Sequence, residues 1–285
     1  MFEKVVLATD FSPGAQKLLS CLGELKLVGT EEVILTWVME INFAGGPTSS
    51  VQDAHRKALE EKGRQIEEMG FKVSYEAPIG MPAREIHAVA EKTDASLIVI
   101  GSRGKNKIRD FFLGSTASAL IRHATIPVLL ERIELVESKG EKDLQLVCER
   151  KLESILMPTD FSPVAAEAEK VVSELAAHAG KIVLASVVDE GETEEEISAL
   201  KDKASKQLAQ LGDSCKLVCP EVEVRIETGI PSKEIKKIAD EKNTTLIVLG
   251  MRGKGDVEGL VLGSTAETVA RTSRRPVLLV PLAKG

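Results

Sequence analysis

Two short runs of glycine, serine and threonine carry the residue types that hold phosphate. Gly101, Gly104, Gly114, Ser115 and Thr116 stand at the spacing G, two residues, G, nine residues, G-S-T, and Gly250, Gly253, Gly263, Ser264 and Thr265 repeat it. Glycine lets a chain turn sharply and lets its N–H groups come close to a ligand. A hydroxyl pair after the third glycine suits the start of a helix, where the first N–H groups lack partners within the helix and the dipole favours an anion. Arg103 and Arg252 lie inside the two runs and bring a cation to the same place. One such run would serve equally well as a turn and a helix cap. The second copy at the same spacing favours a phosphate site, because a cap imposes no fixed frame.

A second repeated element supplies carboxylates. Residues 7–13 read LATDFSP and residues 156–163 read LMPTDFSP. Ser12-Pro13 and Ser162-Pro163 predict a good N-cap followed by proline at the first helical position, where its missing N–H costs nothing. Helix 1 of each half then starts just beyond Asp10 and Asp160. Both carboxylates are thereby expected at the C-terminal mouth of strand 1, where open α/β sheets bind ligands. There they either cap the turn or reach a ribose or a metal ion.

Other chemistries find less support. No GxxxxGK[ST] occurs, and no GxGxxG follows the first strand. His55, His87, His123 and His178 do not recur between the halves. Cys21, Cys148, Cys215 and Cys219 form no CxxC pair and have no histidine at ligand spacing, so reduced, inert thiols are expected. No catalytic residue and no metal ligand is assigned. A net charge of −7 without a concentrated basic face argues against nucleic acid as the main partner. No apolar run is long enough for a bilayer and no signal peptide is evident at the N-terminus, so no membrane partner and a cytoplasmic location are expected.

The elements that position these residues come twice. Residues 101–130 align without gaps to 250–279 with 14 of 30 positions identical. A unit of about 135 residues thus occurs twice, with domains expected over 1–133 and 153–285 and a charged linker over 134–152, containing at most one helical turn. In each unit, short runs rich in Val, Ile and Leu alternate with longer amphipathic segments, the pattern of a parallel sheet covered by helices. The strands are KVVLAT, EVILTWV, FKVSYE, SLIVIG and PVLLE in the first unit, and SILMPT, KIVLASV, VEVRIE, TLIVLG and PVLLVP in the second. The expected fold is α/β, with two doubly wound domains of five parallel strands in order 3-2-1-4-5 and four helices each. That order makes strands 1 and 4 neighbours, so Asp10 would face the Gly101 run and Asp160 the Gly250 run.

The paired TDFSP segments, the G-x2-G-x9-G-S runs and the terminal PVLL strands resemble the universal stress protein family in its tandem form, over nearly the whole chain. The resemblance implies Rossmann-like domains of the adenine nucleotide alpha hydrolase-like type, binding of ATP or AMP with Mg²⁺ carried through the phosphates, and a role in stress tolerance. It further implies association through the last strand, as an intramolecular pseudo-dimer, a homodimer or both. Carried over, Ala8, Thr9 and Asp10 with Pro158, Thr159 and Asp160 would line the adenine and ribose side. Val38 and Val187 would touch adenine through the backbone, and the glycine runs with Ser115, Thr116, Ser264 and Thr265 would hold the phosphates. Trp37 and Ser186 stand where members of the family often have histidine.

The first loop carries Arg103, Lys105, Lys107, Arg109 and Asp110, a formal +3, whereas Arg252, Lys254, Asp256 and Glu258 sum to zero. Tighter triphosphate binding in the first unit, weakening with salt, is the expectation from charge. A binding module is favoured over a slow ATPase, because no repeated His, Cys or Lys accompanies the two aspartates as a general base would require. An empty interaction scaffold is the third reading.

Overall fold

The computed structural model describes residues 1–40, 48–102, 113–138, 141–147, 150–254 and 262–283, with backbone alone at 135–138 and 141–144. Its contacts divide the chain into two units, Met1–Glu149 and Arg150–Gly285.

In unit 1 the chain runs through β1 (Lys4–Ala8), α1 (Pro13–Lys17), a 3-10 turn over Leu18–Cys21, α2 (Leu22–Leu27), β2 (Glu32–Thr36), α3 (Ser49–Glu68), β3 (Lys72–Glu76), α4 (Pro82–Lys92), β4 (Leu97–Gly101), α5 (Ser115–His123) and β5 (Val128–Glu131). The strands lie in the order β3-β2-β1-β4-β5, all parallel. Strands flanked by helices on a parallel sheet must be apolar throughout, and Val5, Val6, Val33, Ile34, Leu35, Leu97, Ile98 and Val99 are all fully buried. The expected helix 1 is α1, the 3-10 turn and α2 in succession.

Residues 134–152, expected as a linker, hold structure of their own. β6 (Ile133–Ser138) and β7 (Glu141–Leu146) form an antiparallel hairpin with Ile133 opposite Leu146. Both of these end residues are buried. Ile133 reaches down to Gly14 on α1, where a β-carbon would already stand at 3.4 Å from its side chain. Charged residues made the segment read as a spacer, but apolar residues recur among them, and a hairpin needs only one face covered.

Unit 2 begins with a 3-10 turn over Lys151–Glu153, then β8 (Ser154–Pro158), α6 (Pro163–Leu175), β9 (Lys181–Val188), α7 (Glu194–Lys216), β10 (Glu221–Thr228), α8 (Pro231–Glu241), β11 (Leu246–Gly250), α9 (Ser264–Thr272) and β12 (Val277–Val280). Its strand order is β10-β9-β8-β11-β12, again all parallel. Both units therefore have the 3-2-1-4-5 order, which places the switch point between the first and fourth strands. No described helix is long and apolar enough to cross a membrane.

Candidate functional site

The repeated TDFS segment makes the same turn in both units. Phe11 (φ 55°) and Phe161 (φ 60°) adopt the left-handed conformation, which costs a residue with a β-carbon about 1–2 kcal/mol. Side chains on either side compensate. Thr9 Oγ1 accepts from the Phe11 N–H at 3.1 Å and Asp10 Oδ1 from the Ser12 N–H at 2.9 Å. In unit 2, Thr159 and Asp160 make the same pair of bonds at 2.9 and 3.0 Å. Ser12 and Ser162 then cap α1 and α6 by accepting from the Ala15 and Ala165 N–H groups, each at 3.2 Å. The turn-capping reading of the two aspartates is thus realised in the fold.

Asp160 does more. Its second oxygen accepts from the Lys254 N–H at 2.7 Å, so one carboxylate joins the turn after β8 to the glycine run after β11. A β-carbon on residue 253 would stand 2.5 Å from that same oxygen, which explains glycine at Gly253. Gly250 ends β11 against the first turn of α6, close to the Val164 carbonyl. The loop that follows is pinched at its base, where the Gly263 N–H donates to the Met251 carbonyl at 2.7 Å. In unit 1 the Gly114 N–H donates to the Ser102 carbonyl at 2.8 Å in the same way.

The helices that leave these loops start without a side-chain cap. Gly114 and Gly263 are the N-cap residues of α5 and α9, and neither has a side-chain acceptor to offer. The first hydrogen bonds of α9 begin with the Glu267 N–H on the Gly263 carbonyl. The preceding amides of Ser264, Thr265 and Ala266 belong to the open end of the helix, which favours negative charge.

Around these groups unit 2 has a cavity of about 320 Å³. Every residue expected in unit 2 lines it. Pro158, Thr159 and Asp160 come from the end of β8, Val187 from β9, Gly250, Arg252 and Gly253 from β11 and the loop start, and Gly263, Ser264 and Thr265 from the start of α9. Ala165, Val188, Leu249 and Ile235 add apolar lining. Sequence reasoning missed the contribution of α7, whose Leu200, Lys203, Ala204 and Gln207 form one stripe along the cavity. Their i, i+3, i+4, i+7 spacing was the available signal. It also missed Glu169, which accepts from the Thr159 hydroxyl at 2.7 Å and orients it. Lys203, Arg252 and Lys254 bring positive charge to the cavity, and Asp160, Asp189 and Glu190 negative charge.

In unit 1 the corresponding residues occupy corresponding positions. Ala8 ends β1 and Thr9 and Asp10 follow it, Val38 follows β2 and is buried, Gly101 ends β4, and Gly114, Ser115 and Thr116 open α5. Arg103 and Gly104 lie outside the described residues, as do Lys105, Lys107, Arg109 and Asp110, on which the expected charge preference for unit 1 rests. Asp256 and Glu258 are likewise outside them. Cys21, Cys215 and Cys219 are buried and form no disulfide, and burial raises the Cys215 thiol, with Cys219 adding to it. Cys148 is outside the described residues.

Fold and site together define a class: a tandem of doubly wound α/β units, with a polar crevice at the switch point of the second and the same turn and helix start in the first. The family model described as the universal stress protein family matches residues 1–132 and 151–281, and the chain belongs to that family. It is 30% identical over 153 residues to a universal stress protein of Methanocaldococcus jannaschii, covering 46% of this chain and 94% of the relative. A universal stress protein of Mycobacterium tuberculosis is 24% identical over 295 residues, covering 96% and 95%. Among solved structures, a universal stress protein from Archaeoglobus fulgidus DSM 4304 superposes with a TM-score of 0.72 at 26% identity, covering 99% of both chains.

Proposed function

We propose that the chain is an adenine nucleotide binding protein, taking ATP or AMP in the crevice of unit 2, with Mg²⁺ carried by the phosphates. The observation that supports this most directly is the open start of α9. The cavity is lined by the first residues of α9, by its glycine N-cap and by Arg252, and also by apolar residues such as Val188, Leu249 and Ile235. Amides and dipole suit a phosphoryl group, and apolar lining suits a purine. Ser264 and Thr265 add hydroxyls, and Thr159 and Asp160 line the same cavity.

Binding is favoured over hydrolysis because no repeated His or Cys accompanies Asp10 and Asp160 as a general base. The Asp160 carboxylate is engaged instead in holding the Ser162 and Lys254 amides. The biological role proposed is stress tolerance, through a nucleotide-dependent change in assembly, in the cytoplasm.

The test is mass spectrometry of small molecules released when the purified protein is denatured, followed by calorimetric titration with ATP, ADP, AMP and GTP. Release of an adenine nucleotide, or preferential uptake of one, supports the proposal. Absence of both, or equal uptake of GTP, would defeat it. Overnight incubation with ATP and Mg²⁺ separates the enzyme reading, which requires phosphate release that Asp160→Asn abolishes.

A further inference from the structure

The two units diverge at the end of the site where a purine would go. The sheet registers align them residue by residue: Ala8 pairs with Thr36 in unit 1 and Pro158 with Ala185 in unit 2, so the next residues, Trp37 and Ser186, are equivalent. The covering helices align equally well. Leu59, Gly63 and Ile66 are the buried residues of α3, and Leu208, Gly212 and Cys215 hold the same places on α7. One turn earlier on the same stripe stand His55 in α3 and Ala204 in α7.

In unit 2 both small residues, Ser186 and Ala204, line the cavity. Their large counterparts in unit 1 meet each other. The Trp37 and His55 rings stack with centroids 3.5 Å apart and planes 9° apart, and Phe11 packs on Trp37 at 4.3 Å. A heteroaromatic ring already lies flat on the indole and covers that face of it.

We infer that the Trp37–His55 stack closes the base end of the unit 1 site, so that the chain takes one adenine nucleotide, in unit 2. The inference rests on the nucleotide reading of unit 2 and runs against the preference expected from loop charge. It makes the tandem asymmetric: unit 2 carries the ligand, and unit 1 keeps the turn and the helix start without room for the base.

The chain has a single tryptophan, so Trp37 emission reports on unit 1 alone. Calorimetric titration of the full chain with ATP and Mg²⁺, after dialysis to remove co-purified nucleotide, should give one equivalent per chain and leave Trp37 emission unchanged at saturation. The double variant Trp37→Ser/His55→Ala should take up a second equivalent. The reverse pair in unit 2, Ser186→Trp/Ala204→His, should lose the one equivalent. Two equivalents in the unmodified chain, or strong quenching of Trp37 by ATP, would overturn the closure while leaving the nucleotide reading intact. A folded double variant that still takes up only one would do the same. No uptake by the unmodified chain would overturn both. The stoichiometry and the emission need no variant, so a misfolded variant leaves the inference exposed to test.

Discussion

Asp160 is the residue on which the site's geometry turns, because its two oxygens fasten two different loops. Asp160→Ala should remove both acceptors and leave two amides without their partner. A hydrogen bond to a charged group contributes about 1.5–3 kcal/mol, so a loss of about 1–3 kcal/mol in urea denaturation is expected for this half-buried carboxylate. Asp160→Asn keeps one acceptor oxygen and should lose less. Gly253→Ala brings a methyl against the same carboxylate and displaces the loop. It should weaken ATP binding by about 1 kcal/mol or more, roughly a factor of five, with little change in the unfolding midpoint of the free protein. The sequence placed Asp160 at the mouth and assigned Gly253 to the loop. It set Asp160 opposite the Gly250 run but did not fix which oxygen meets which amide, because that depends on the path the backbone takes after β11.

At the scale of elements, helix starts and edge strands behave as local physics requires. Ser162→Ala removes the cap of α6 and should cost about 1 kcal/mol by urea denaturation, with Ser162→Asp closer to neutral. Glu223 of β10 is reached by Lys181 at the start of β9 and by Lys242 at the end of α8, at 3.1 and 2.5 Å. Burial by itself would raise the Glu223 carboxyl, but hydrogen bonds from Lys242 and Lys181 outweigh it and hold the group below its ordinary value. A carboxyl depressed on folding stabilises above its unfolded pKa, and that contribution disappears as pH falls through the folded one. Glu223→Gln should therefore lower the unfolding free energy measured in urea at pH 7, by less than about 1 kcal/mol for so accessible a cluster, and the gap should close on acidification below about pH 4. Strands and caps were legible because each is written in adjacent residues. The β6–β7 hairpin was not, since charged residues in its sequence outnumber the apolar ones that recommend a strand, and only packing of its end, as Ile133 on Gly14 of α1, decides between them.

For the whole molecule, a ligand that binds one folded unit stabilises that unit by mass action, about 2.7 kcal/mol at a hundredfold excess over Kd. Thermal unfolding followed by circular dichroism should move upward with ATP. The same transition followed by Trp37 emission, which sees unit 1, should move less if unit 2 carries the ligand. Equal shifts by both probes would mean that the units unfold together or both bind. Assembly belongs to this scale too: β5 and β12 each end the strand order of their unit and are written almost wholly in Val and Leu, and an apolar edge requires a partner. Sedimentation with and without ATP tests whether the ligand changes that state. By itself the sequence determined the duplicated units and their alternating strands and helices, because periodicity, caps and glycine spacing act over a few positions or recur unchanged between copies. Only the tertiary structure decided that Trp37 lies on His55 while Ser186 and Ala204 leave a cavity. Those residues are far apart in the chain, and whether their side chains collide or leave space depends on how a helix lies on its sheet.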